Sequence, residues 1–99
     1  KSNKRFQEAK SLLRKTMPVA RRLLGEGNGI TLKMRWSYAR ALYENPGATL
    51  EDLREAVTTL EDADPIARRV LGSSNPVAIA IEFFLRQARA ALAQRRPVV

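Results

Sequence analysis

The chain has 99 residues, 44% of them hydrophobic, with 18 basic against 10 acidic side chains and a formal net charge of +8. That length supports one small domain with a single core, and the apolar fraction is too high for a disordered segment. With no Cys and no His, disulfides, thiolate chemistry, Cys/His metal sites and every triad built on His or Cys are excluded. No apolar run reaches the roughly 18 residues of a membrane span. No secretory signal opens the chain, and Lys1 in place of Met points to excision from a longer protein. An intracellular, cytoplasmic setting without membrane contact is expected.

Three clusters of turn residues punctuate the chain: Gly25, Gly27 and Gly29; Asn45-Pro46-Gly47; and Gly72-Ser73-Ser74-Asn75-Pro76. The segments between them carry apolar residues at helical spacing and no alternating β-branched runs. The first has a stripe of Phe6, Ala9, Leu13, Met17, Ala20 and Leu24, with Lys4, Lys10, Arg14, Lys15, Arg21 and Arg22 on the other side. The second is apolar on two sides, as a helix gripped from both sides requires, and leaves one polar strip of Lys33, Ser37, Arg40 and Glu44. The third has a long stripe from Leu50 and Leu53 through Leu60 and Ala63 to Leu71, and the fourth keeps Val77, Ile81, Phe84, Leu85, Ala88 and Leu92 on one side. Helices are therefore predicted near 3–24, 29–44, 50–71 and 76–95, an all-α fold in one domain over 1–99, with 96–99 a frayed tail.

Local chemistry marks the boundaries. Asn28, Thr49 and Asn75 are predicted N-caps, Thr49 being followed by Glu51 and Asp52 in the first turn and Asn75 by Pro76 at the first helical position. Gly25 and Gly72, each preceded by an arginine pair, suit left-handed positions at helix C-termini.

Sliding the chain by 47 residues superposes Phe6–Asn28 on Leu53–Asn75 without gaps. Ten of 23 positions are identical, among them Pro18/Pro65, Ala20/Ala67, Arg21/Arg68, Arg22/Arg69, Gly25/Gly72 and Asn28/Asn75, too many for unrelated helices. A repeat of this period built from helix–turn–helix units implies a solenoid. The recurring mid-helix proline predicts a bend in the first and third helices rather than two restarts.

Charge follows the repeat. Residues 1–22 balance at +7, 23–49 at +1, 50–66 at −5 and 67–99 at +5. Arg14 and Lys15 match Glu61 and Asp62, so the basic first helix is expected to lie beside the acidic third and to meet it at these positions.

Ala67-Arg-Arg-Val-Leu-Gly72 with Asn75-Pro76, and its copy Ala20-Arg-Arg-Leu-Leu-Gly25, resemble the junction between successive tetratricopeptide repeats of the kinesin-light-chain subtype. Thr31-Leu32, Tyr38-Ala39 and Leu42 fall at that repeat's first-helix packing positions, and Ala56 and Ala63 at its small second-helix positions. The segment around Leu53–Asp62 also resembles repeats in large multi-repeat proteins of unicellular algae. Two departures stand out: the loop Glu44–Thr49 is longer than usual, and Asn28 and Asn75 replace the usual His. The resemblance implies a right-handed stack of antiparallel helix pairs. The second and fourth helices then line a concave groove, the first and third form the outer wall, and a helix upstream of Lys1 is missing. At the positions of Arg35, Ala39 and Leu42, the fourth helix carries Glu82, Arg86 and Arg89. Arg86 would be costly to bury, so the fourth helix is expected to be a terminal cap with a wet outer face.

Catalytic signals are thin. Gly25-Glu-Gly-Asn-Gly29 follows a helix rather than a strand and lacks the Gly-Lys-Ser/Thr ending of a phosphate loop. Glu51/Glu55 and Asp62/Asp64 are paired carboxylates on an outer helix, not in a cleft, and the aromatic residues Trp36, Tyr38, Tyr43, Phe83 and Phe84 are expected in the core. The chain is expected to be non-enzymatic, with no cofactor and no metal. The first functional reading is a protein-interaction module that binds a peptide, acidic given Lys33 and Arg40, through Lys33, Ser37, Arg40, Glu44, Ala80, Phe84 and Gln87. The second is nucleic-acid binding by the basic face of Lys4, Lys10, Arg14, Lys15, Arg21 and Arg22, against which stand the acidic neighbouring helix and the lack of a reading motif. The third is a structural segment that self-associates through an apolar edge of Phe6, Leu12 and Val19.

Overall fold

A computed structural model describes residues 3–95; the tail expected to fray at 96–99 lies outside them. Four α-helices account for nearly all of this span, with no strand among the described residues: α1 (Asn3–Leu24), α2 (Gly29–Tyr43), α3 (Leu50–Leu71) and α4 (Pro76–Arg95). Asn3 and Leu50, Leu24 and Leu71, and Gly29 and Pro76 are each separated by 47 residues, so the sequence repeat recurs in the helix boundaries. α2 stops at Tyr43, one residue before its predicted end, and Glu44 becomes the C-cap ahead of Asn45-Pro46.

The caps are formed by the residues that the sequence marks. Asn28 Oδ1 accepts from the Ile30 N–H at 2.9 Å and Asn75 Oδ1 from the Val77 N–H at 2.8 Å. At α3 the Thr49 hydroxyl accepts from the Asp52 N–H at 3.0 Å, and Asp52 accepts from the Thr49 N–H at 3.1 Å, a reciprocal capping box. Burial pushes the Asp52 carboxyl up, but these bonds and the Lys10 ammonium at 3.2 Å outweigh it and hold its pKa below the ordinary value. Thr49→Ala should cost about 1 kcal/mol, read as a lower urea midpoint with an unchanged slope. Gly72 ends α3 with φ 92° and ψ 150°. The positive φ is as predicted, but ψ lies outside the left-handed helical well, in a region open essentially to glycine alone.

Successive helices run antiparallel. α3 packs on α2 and α4, α1 packs on α2, and α2 also touches α4. The core lies between α2, α3 and α4: Leu32, Ala39 and Leu42 meet Ala56, Leu60, Ala63 and Ala67 and are joined by Ile81 and Ala88. Small residues on α3 let the helices approach closely, and leucines fill the gaps between them. α1 contributes a partly buried fringe through Leu13 and Met17, and its Ala20 is buried.

α1 and α3 each continue unbroken through Pro18 and Pro65, so neither restarts at its proline. Basic α1 and acidic α3 do pair, but not in the expected register. Lys10 meets Asp52 at 3.2 Å and Arg14 meets Glu55 at 3.0 Å, while Glu61 is taken by Arg89 of α4 at 3.0 Å. The partners are 42 and 41 residues apart rather than 47. Stacked helices are offset along their axes, and a shift of five or six residues is about 7.5 to 9 Å at 1.5 Å per residue. Long side chains therefore meet diagonally. Glu82, Arg86 and Arg89 of α4 are all exposed, as their charges predict. Phe83 departs from the expectation of a core aromatic: it is 46% exposed and forms a T-shaped pair with Phe84.

Candidate functional site

A groove lies between the first turns of α1 and the last turns of α2. It encloses about 610 Å³ and is lined by Arg5, Phe6, Ala9, Ser37, Arg40, Ala41 and Glu44. Its floor is apolar, from Phe6, Ala9 and Ala41, and its rim carries two guanidinium groups. Arg40 is held from two sides. Its Nε and Nη2 donate to Glu44 at 2.9 and 3.3 Å, an i,i+4 pair, and its guanidinium carbon lies 4.8 Å from the centre of the Phe84 ring. Trp36 supports Phe84 in turn, with ring centres 5.8 Å apart. The outer donors of Arg40 are thereby aimed by a rigid aromatic base rather than left to a freely rotating side chain.

Of the predicted groove residues, Ser37, Arg40 and Glu44 share this groove, and Phe84 sits under Arg40. Lys33 and Gln87 are exposed and Ala80 half-buried, all outside its lining. Arg5, Phe6 and Ala9 are not among the predicted groove residues, Phe6 being assigned to a self-association edge. A signal for them lies in the short glycine turn between α1 and α2, which sets the register of an antiparallel pair. Counting outward from it places Ala9 and Phe6 beside Ala41 and Glu44, and Thr31 Oγ1 donating to the Ala20 carbonyl at 3.4 Å fixes that register.

The predicted basic face is divided by the fold. Lys10, Arg14 and Arg21 are engaged by Asp52, Glu55 and Glu26. Lys4, Lys15 and Arg22 are exposed and have no ion pair among the described residues. Arg14 and Arg21 turn instead into a crevice of about 300 Å³ shared with Arg35, Tyr38, Glu55 and Asp62. There Arg14 Nε donates to the Tyr38 oxygen at 2.7 Å, and Tyr38 donates to Glu55 at 2.5 Å. Three arginines and two carboxylates line this crevice, and Glu26 from outside it pairs Arg21 and Arg35, so the cations are met within the fold as a structural network.

Burial, aided by the Glu55 hydrogen bond, pushes the Tyr38 hydroxyl up to about 12, and burial beside Glu44 does the same for Tyr43. These are the chain's two tyrosines. An ultraviolet titration of the folded protein should show no ionisation step near the ordinary value of about 10. Because the folded values are raised, the associated stability is complete below about pH 10 and is lost as pH rises toward 12. Alkaline unfolding should release both phenolates together, and a separate step near pH 10 in the folded state would contradict the burial of these rings.

No group of three metal-binding side chains comes together among the described residues, and no helix there is long and apolar enough to cross a membrane. No family model, curated protein or solved structure matches the chain.

Proposed function

We propose that the protein is a non-enzymatic interaction module of tetratricopeptide type that binds an acidic peptide segment of a partner protein. The observation that carries this reading is the groove in which Arg5 and Arg40 flank the apolar floor of Phe6, Ala9 and Ala41. A peptide with one apolar side chain beside a carboxylate fits that pattern: the apolar group covers the floor, and the carboxylate takes Arg5 and the Arg40 donor that Glu44 leaves free. The preset Arg40 reduces the ordering cost of binding. Engagement of Lys10, Arg14 and Arg21 within the fold favours a peptide over a nucleic acid, because it halves the free charge of the basic face.

Fluorescence anisotropy with acidic–apolar peptides tests the reading. Arg5→Glu with Arg40→Glu should weaken binding at least about tenfold, like charges facing each other across the contact. Lys15→Glu with Arg22→Glu should leave it unchanged. Stronger binding of arbitrary duplex DNA than of acidic peptides, lost with the Lys15 and Arg22 changes, would replace this reading with the basic-face one.

A further inference from the structure

The turn Gly25-Glu-Gly-Asn-Gly29, which is no phosphate loop, holds a dipeptide with chemistry of its own. Of the chain's four asparagines, Asn28 precedes Gly29, Asn45 precedes Pro46, Asn75 precedes Pro76 and Asn3 precedes Lys4. An asparagine side chain can be attacked by the main-chain nitrogen of the next residue, closing a cyclic imide. Proline has no N–H to give up, and a side chain on the next residue crowds the approach. Of these four neighbours, only Gly29 offers a nitrogen that carries a proton and has no side chain beside it.

The fold leaves that nitrogen free. The first N–H groups of a helix have no intrahelical acceptor. At α2 the Ile30 N–H is taken by Asn28 Oδ1 and the Leu32 N–H by the Asn28 carbonyl, each at 2.9 Å, whereas the Gly29 N–H has no acceptor among the described residues. A Cβ built on Gly29 meets no heavy atom within 4 Å, so no neighbouring element screens the position. The Ile30 N–H also polarises the carbonyl under attack, because it donates to the oxygen on which negative charge develops. What restrains the reaction is the backbone. Asn28 is extended, with ψ 137°, which holds the Gly29 nitrogen away from Cγ. Ring closure needs ψ to turn, and that undoes the first turn of α2. Helix ends open at small cost, so the fold slows the reaction without forbidding it.

The internal repeat supplies a matched control. Asn75 caps α4 as Asn28 caps α2: its Oδ1 accepts from the Val77 N–H at 2.8 Å and its carbonyl from the Ile79 N–H at 3.0 Å. Both caps follow a glycine with positive φ three residues earlier, Gly25 and Gly72. What distinguishes them chemically is the residue that follows, Gly29 in one and Pro76 in the other.

We propose that Asn28-Gly29 is a self-modification site in the connection between α1 and α2. The Gly29 nitrogen gives its proton to water and bonds to Asn28 Cγ; the Cγ–Nδ2 bond breaks, and Nδ2 takes up a proton and leaves as ammonia. Water then opens the imide on one of its two sides. Cleavage of the new N–Cγ bond leaves aspartate at position 28, which caps α2 as asparagine does and sets a carboxylate at the positive end of the helix. Cleavage of the original peptide bond routes the main chain through Cγ. The resulting isoaspartate adds a carbon to the backbone and displaces both hydrogen bonds of the cap. This second product loosens the entry to α2, a one-way change that needs no enzyme and does not depend on the Arg5/Arg40 groove.

The full chain is aged in warm, mildly alkaline buffer and mapped by tryptic digestion and mass spectrometry, with an isoaspartyl methyltransferase as the probe for isoaspartate. The peptide of residues 23–33 should convert to both acids, while those carrying Asn45 and Asn75 stay intact. Gly29→Ala, which the open space at Gly29 lets the fold accept, should slow the conversion at least about tenfold. Pro76→Gly should make Asn75 convert at a rate like that of Asn28. In the isoaspartyl chain, separated by ion exchange, amides in the first turns of α2 should exchange faster with deuterium than in the parent, and those of α3 should not. Asn28 as durable as Asn75, conversion indifferent to Gly29→Ala, an Asn75 still inert in Pro76→Gly, or unchanged exchange in α2 would each overturn the proposal.

Discussion

Ala39→Arg should come close to unfolding the protein, whereas Arg86→Ala at the matching position of α4 should go almost unnoticed. Ala39 is 0% exposed and lies in the cluster joining α2 to α3 and α4. An arginine there must either bury its charge among alanines and leucines or wedge α2 off α3. The cost of an uncompensated buried charge together with overpacking is about 3–5 kcal/mol, close to the about 5–10 kcal/mol that a domain of this size has in total. Arg86 stands out in solvent, with Glu82 at 3.6 Å as an i,i+4 neighbour. Such a pair contributes less than about 0.5 kcal/mol. Urea melts followed by circular dichroism separate the two cases. Comparable losses for both substitutions would mean that α4 uses the Arg86 face as α2 uses Ala39.

Glu26→Ala should cost about 2 kcal/mol, the largest effect expected from a half-exposed side chain in this molecule. Glu26 is shared by two arginines, Arg21 at 2.9 Å and Arg35 at 3.2 Å, and the Arg35 side chain is only 8% exposed. Burial, and then repulsion from Arg21, already lower the Arg35 pKa. Removing Glu26 takes away the carboxylate that separates these like charges and strands a nearly buried guanidinium. A fully buried pair broken from one side costs about 3–5 kcal/mol; here Glu26 is half in water and Asp62 still helps, which reduces the figure. Arg35→Met in the Glu26→Ala background should restore most of the loss, because an apolar side chain of similar length needs no counter-charge. Failure of that rescue would mean that Glu26 acts through the Gly25–Gly29 loop and not through Arg35.

What the sequence discloses and what it conceals divide along a physical line. Helix ends are local events: Asn28, Thr49 and Asn75 act on backbone groups two or three residues away, so their chemistry can be read in place. The same holds for the paired glycines and for the proline that recurs at 18 and 65, because the repeat supplies each with an internal control. Ion-pair partners are not local. Arg14 meets Glu55 rather than Glu61 because the axial offset between stacked helices adds to the repeat, and nothing in the spacing of charges reveals that offset. Arg35 is hidden for a related reason. Nothing in its own helix shows that α3 closes over it. The groove was half legible: Ser37, Arg40 and Glu44 form a polar strip on any helical wheel, while Arg5 and Phe6 join them only through the hairpin register.

α1 is held by α2 alone along its backbone and reaches α3 through side chains, the ion pairs of Lys10 and Arg14 and the partly buried fringe of Leu13 and Met17. The molecule is therefore a three-helix block with a fourth helix laid against it as a leaf, hinged at the glycines of 25–29. Opening that leaf exposes little of the buried cluster, so amides of α1 should exchange with deuterium through partial opening, at a free energy well below that of global unfolding, while those of α3 wait for the whole. The Arg5/Arg40 groove has one wall on the leaf and one on the block's α2. A ligand that bridges it acts as a clasp, and slower exchange in α1 upon binding, with α3 unaffected, would report the closure directly.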